Sequence, residues 1–114
     1  MPSRDLLKVF VEPLEDAVLV RAVGEVDVST VIAVRRELNT AREEGTTVLL
    51  DLSGVTFMDS TGLHLLLDAS KSSALSDWAF FVARPSEPVQ RLIELSGTRD
   101  LLTLVDPTRE RILS

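Results

Sequence analysis

The sequence predicts an α/β domain on a partly parallel, mixed sheet with at least one face covered by helices. Three observations lead there. Apolar runs of strand length alternate with helical segments from residue 24 onward. The run 46–52 carries no charge until Asp51, as suits a central strand covered on both faces. The chain opens with two strand-like segments, 6–12 and 17–23, joined by a polar loop around Pro13 and Glu15-Asp16. These read as an antiparallel pair, which makes the sheet mixed.

Each element has its own signal. Val18, Val20 and Ala22 alternate with Leu19, Arg21 and Val23, and Gly24 ends the hairpin. A helix is predicted from about Ser29 to Glu44, with Asp27 and Ser29 as caps. Val31, Val34, Leu38 and Ala41 form its stripe, and Gly45 is its stop. The strand 46–52 follows, closed by the turn pair Ser53-Gly54. A second helix runs from about Thr61 to Leu75, with Leu63, Leu66, Leu67, Ser70 and Ala74 turned inward. Ser76-Asp77 turns the chain into a buried strand, Trp78–Ala83. Ser86 caps a third helix with Pro88 in its first turn and Gly97 at its end. A short strand, Leu101–Val105, and a terminal helical turn from Asp106-Pro107 to Leu113 complete the order β-β-α-β-α-β-α-β-α.

Composition narrows the function. At 114 residues the chain reads as a single domain, 1–114, able to bury a core without staples. It has no cysteine, so disulfides and thiolate metal sites are excluded and a reducing compartment is expected. The formal net charge of −6 argues against nucleic acid or an anionic membrane surface as partner. Met1-Pro2-Ser3-Arg4-Asp5 leads into no long apolar run, so no signal peptide is expected, and no stretch is long enough to span a bilayer. No Walker loop occurs, since Gly62 is followed by Leu, and no His–carboxylate cluster suggests a metal. No cofactor is expected.

The most informative stretch is Asp59-Ser60-Thr61-Gly62-Leu63, between an apolar strand and an apolar helix. A serine at a helix N-terminus lies beside unpaired backbone N–H groups. It can serve as a plain cap, or it can accept a phosphate that those groups and the helix dipole tolerate.

At this point the residues carry a resemblance. The chain resembles a STAS domain, specifically a bacterial anti-sigma factor antagonist. Gly24-Glu25-Val26-Asp27 matches that family's turn before its first helix. The segment from Asp51 to Leu63 matches its signature strand, loop and helix start. Pro85-Ser86 through Leu92-Ile93-Glu94-Leu95-Ser96-Gly97 matches its closing region. Together these span about residues 6–113. The resemblance implies a mostly parallel mixed sheet of about five strands with helices on one side. It implies a cytoplasmic regulator without catalytic activity. The partner it implies is an anti-sigma factor that is also a serine kinase, and capture of that kinase frees a sigma factor. Phosphorylation of the serine after the signature Asp, here Ser60, breaks the capture, and a phosphatase restores it. Two departures stand out. No glycine lies between the signature helix and the next strand, and Thr61 replaces a frequent serine, which leaves open a second phosphate acceptor.

The residues expected to meet the partner are Asp27, Ser29, Asp59, Ser60, Thr61, Gly62, Leu63 and Leu65. Asp27 either caps its helix or shapes the surface around Ser60, and both roles are compatible. Leu65 falls on the helix face opposite the inward stripe, with Thr61, Asp68 and Ser72. It is either a partner contact or packs against a neighbouring helix. Two other functions compete with this one. His64 lies four residues after Ser60, the spacing of a Ser–His pair, but no Gly-x-Ser-x-Gly elbow surrounds it. STAS-like domains also serve as accessory subunits of lipid transporters, whose partner would be a transporter ATPase. The charge gives no reason to expect tight self-association, so a monomer is expected.

Overall fold

The computed structural model describes residues 6–44 and 47–106. Its elements are β1 (Leu7–Pro13), β2 (Val18–Val26), α1 (Val31–Glu44), β3 (Thr47–Met58), α2 (Ser60–Leu75), β4 (Ala79–Ala83), α3 (Glu87–Ser96), a 3-10 turn (Arg99–Leu101) and β5 (Leu104–Val105). The five strands lie in the order β1-β2-β3-β4-β5. β1 and β2 are antiparallel, and every later pair is parallel. Right-handed crossovers between strands added in sequence order keep α1, α2 and α3 on one face. Val34 and Leu38 of α1, Leu63 and Leu66 of α2, and Val89 and Ile93 of α3 share one core with that face of the sheet.

The central strand departs from the expected one. β3 does not stop at Leu52; it runs through Ser53-Gly54 to Met58. Along β2 the core residues Val18, Val20, Ala22 and Val26 keep an even spacing. On β3 they are Val48, Leu50 and Leu52, then Val55 and Met58. The pairing explains the change. Arg21 to Val23 spans Asp51 to Gly54, and Gly24 to Glu25 spans Val55 to Phe57, so β3 carries one extra residue at each step. Each bulge returns the next apolar side chain to the core and adds twist. A turn pair and a bulge share the same residue types, which is why Ser53-Gly54 reads as a turn in the sequence.

Gly24 is the last residue of β2 paired with β1, as expected, but β2 continues two residues beyond it. Its φ is +122°, and a Cβ there would lie 2.0 Å from the Leu6 carbonyl oxygen. The Glu25 N–H donates to that same oxygen at 2.7 Å. Elsewhere the boundaries shift by a residue or two. Ser86 stands at the N-cap of α3 without a side-chain cap bond, and Gly97 closes that helix in the left-handed region. The expected strand 101–105 resolves into the 3-10 turn and a two-residue β5. The Gly45 stop and the terminal helical turn to Leu113 lie outside the described residues.

Candidate functional site

The parallel strands β2 and β3 end together. Val26 of β2 pairs with Met58 of β3, so Asp27 and Asp59 follow side by side at the carboxyl edge of the sheet. The Asp59 N–H donates to the Val26 carbonyl at 3.2 Å and ties the two exits together. Each aspartate then organises the helix that leaves its strand. One Asp27 carboxylate oxygen accepts from the Ser29 N–H at 2.9 Å, the Ser29 hydroxyl at 2.7 Å and the Thr30 N–H at 3.2 Å. The Thr30 hydroxyl donates back to the Glu25 carbonyl at 2.7 Å. The Ser29 hydroxyl is the largest influence on the Asp27 carboxyl; partial desolvation opposes it, and the other donors assist. The net effect holds the group below its ordinary value.

Asp59 is the N-cap of α2 and accepts from the Thr61 N–H at 2.9 Å. The Thr61 hydroxyl donates to the same Asp59 oxygen. Ser60, the first residue of α2, is exposed, and its hydroxyl forms no hydrogen bond among the described residues. The cap is therefore Asp59, and Ser60 has no structural duty of its own. Gly62 is where the first turn of α2 meets both strand ends. A Cβ there would fall 2.5 Å from Met58 Cγ and 3.0 Å from Val26 Cγ1.

The structure divides the expected partner residues. Ser29 and Ser60 are exposed, and Asp27, Asp59 and Thr61 are half-buried around them. Gly62, Leu63 and Leu65 are buried and do not reach the surface. Leu65, expected either as a partner contact or packed against a neighbouring helix, is 2% exposed and joins the core, which fits the second. The physical reason is that α2 has two neighbours, the sheet and α1. Its buried arc therefore spans Gly62, Leu63, Leu65, Leu66 and Ala69, and Ala74 from the expected inward stripe is exposed.

Two apolar residues that the sequence did not single out are exposed on the segment leaving Asp27. Val28, in the loop fixed by Asp27, is 75% exposed, and Ile32, in the first turn of α1, is 60% exposed. The signal for Ile32 was present: it is apolar yet falls off the Val34–Leu38–Ala41 stripe. His64 is exposed, with no hydrogen bond to Ser60 among the described residues.

On the sheet face opposite α1, α2 and α3 the same strands hold a buried charge. Asp51 of β3, 1% exposed, receives a hydrogen bond from Arg84 just past β4, lies 3.6 Å from Arg21 Nε of β2, and accepts from the Ser53 N–H at 2.8 Å. Burial pushes its carboxyl up, but the Arg84 and Ser53 donors outweigh it, and the carboxyl sits below the ordinary value. The trio fastens three adjacent strands beneath the site.

No helix among the described residues is long and apolar enough to cross a membrane. Residues 9–112 match the model of the STAS domain. An anti-sigma-B factor antagonist of Staphylococcus epidermidis is 35% identical over 95 residues, covering 82% of this chain and 88% of the relative. Among solved structures, an anti-sigma factor antagonist from Mycobacterium paratuberculosis superposes with a TM-score of 0.76 at 25% identity, over 91% of this chain and 89% of the other. The phosphorylated form of the Bacillus cell fate determinant SpoIIAA shares the fold, with a TM-score of 0.67 at 22% identity over 90% and 95% of the two chains. With the sheet order, the paired aspartate caps and a family match over nearly its whole length, this chain belongs to the STAS domain family.

Proposed function

We propose that this protein is an anti-sigma factor antagonist, switched by phosphorylation of Ser60. Its partner in this reading is an anti-sigma factor with serine kinase activity, and a phosphatase resets the switch. The observation that carries the reading is the division of labour at the start of α2. Asp59 supplies the cap, so the exposed Ser60 hydroxyl is free to react without dismantling the helix. Thr61, the other candidate acceptor, has its hydroxyl bonded to Asp59, and modifying it would break the cap. The names of the relatives point the same way.

Electrostatics supply the mechanism. A phosphoserine adds a charge of about −1.5 to −2. At a helix N-terminus that charge is stabilised by about 0.3–1 kcal/mol, while the adjacent Asp59 opposes it, so the fold is left nearly as stable. A partner docked over Ser60 would have to bury or face the dianion. A loss of about 1.4 kcal/mol already weakens binding tenfold, and an unpaired buried charge costs more. Val28 and Ile32, exposed on the segment that follows Asp27, supply apolar contacts that need little ordering on docking. Ser29, Asp27 and Asp59 complete the footprint.

The test uses the purified protein, candidate anti-sigma kinases and ATP. Native protein should gain one phosphate and release the kinase, Ser60→Ala should stay bound, and Ser60→Glu should bind poorly. Phosphate incorporation by Ser60→Ala equal to native would overturn the assignment, with Thr61 the next residue to examine.

A further inference from the structure

A groove of about 190 Å³ lies between α1 and α2, away from Ser60. Its lining combines an apolar floor with two guanidinium groups and an aromatic wall. Leu38 and Leu65 form the floor. Arg42 stacks over the Trp78 ring, 4.9 Å from its centroid. Arg35 stands on the other part of α1, and among the described residues its charge partner is the exposed carboxylate of Asp68 at 3.6 Å. Ser72 Oγ accepts from both Arg42 Nη1 and Trp78 Nε1, each at 3.3 Å, which leaves its own proton to donate.

We infer that this groove binds a small aromatic monocarboxylic acid. The chemistry of the lining selects that class. A carboxylate entering the groove that Arg35 and Arg42 both line gains charge-assisted bonds that the long Arg35–Asp68 contact does not provide. The apolar floor and the Trp78 edge suit a planar ring, and a neutral polar ligand would gain little from either arginine. Asp68 on the rim repels a second negative charge, so a monoanion is preferred over a phosphate dianion. The volume is below the usual range for drug-sized ligands, about 300–1,000 Å³, and matches a single ring with its carboxylate. The inference is independent of Ser60, because none of these residues belongs to the phosphate-acceptor surface.

The single tryptophan of the chain lines the groove, so its fluorescence reports occupancy directly. Benzoate, benzamide and inorganic phosphate are titrated into the full chain, with amide chemical shifts followed in parallel. For a ligand of this size a benzoate Kd of about 1 mM is expected. Shifts should concentrate on residues 35–42 and 65–72, and neither benzamide nor phosphate should saturate. Arg42→Gln and Arg35→Gln, both at exposed positions, should each weaken benzoate at least about tenfold. The inference is overturned if benzoate fails to saturate, if benzamide or phosphate binds as well, or if both variants bind benzoate like the native protein.

Discussion

Asp27 and Asp59 hold equivalent posts on neighbouring parallel strands. Each follows one member of the Val26–Met58 pair, and each carboxylate organises the start of the next helix. Two helix N-termini, each with a partial positive charge, are thereby brought to one edge of the sheet. Ser60 sits at that edge, and its hydroxyl makes no hydrogen bond among the described residues. The arrangement puts the Ser60 hydroxyl where a negative charge is tolerated and leaves the cap to its neighbour.

The cap can be tested apart from the acceptor. Asp59→Ala removes the bond to the Thr61 N–H and should cost about 1 kcal/mol. Ser60→Ala and Ser60→Glu should each stay within about 0.5 kcal/mol of native, as surface substitutions do. Urea unfolding monitored by circular dichroism measures all three. A Ser60→Ala loss as large as that of Asp59→Ala would show that Ser60 shares the cap.

Burial separates core from partner surface. Leu65→Ala should destabilise the fold by about 2–5 kcal/mol, because the side chain fills space between α2, α1 and the sheet. Val28→Ala and Ile32→Ala should leave unfolding unchanged to within about 0.5 kcal/mol. Titration calorimetry should nonetheless find that the double variant binds the anti-sigma partner at least about tenfold more weakly, as loss of preorganised apolar anchors predicts. An undiminished affinity would place the partner elsewhere.

Three glycines should rank in a fixed order. Gly24→Ala meets both a forbidden φ of +122° and the Leu6 carbonyl at 2.0 Å, so it should prevent stable folding or come close to it. Gly62→Ala forces Met58 aside and should cost about 1–3 kcal/mol. Gly97→Ala meets nothing within 4 Å and should lose only about 1 kcal/mol to its left-handed backbone. Thermal unfolding of the three variants gives the order, and a Gly97→Ala loss greater than that of Gly62→Ala would contradict it.

The buried charge trio predicts an acid limb. The folded Asp51 carboxyl lies below its ordinary 3.8, so the unfolded chain takes up that proton first. The resulting stabilisation is fully present well above 3.8 and is lost as pH falls through the lower folded value. Asp51→Asn should flatten this limb in a plot of stability against pH. At neutral pH it should cost about 2–3 kcal/mol, less than a fully enclosed pair because both arginines are partly exposed. An unchanged acid limb would show that other carboxylates dominate.

Periodicity and punctuation made most of the architecture legible. Pro13 and Glu15-Asp16 marked the hairpin, and Ser86, Pro88 and Gly97 bracketed α3 within a residue. The run before Asp51 identified the central strand, but Ser53-Gly54 hid the bulges, since local sequence does not distinguish an extra residue in a ladder from a turn. Asp59-Ser60 was legible as a helix start. Which of the two was the cap was not, because both residue types cap well. Leu65 stood open between a partner contact and packing against a neighbouring helix, because a helical wheel does not say how many faces are covered; α2 has two, and Leu65 packs inside.

Taken alone, the chain's residue pattern settled the order of elements as far as β5, the hairpin at the start and the helix opening at Asp59-Ser60. These follow from local backbone preference and apolar spacing, which neighbouring residues carry by themselves. Only the folded arrangement decided that Asp27 and Asp59 stand together, that Leu65 lies inside, and that Asp51 is matched by Arg21 and Arg84. Those outcomes depend on strand register and on which helix lies against which, and register is a relation between segments far apart in the chain.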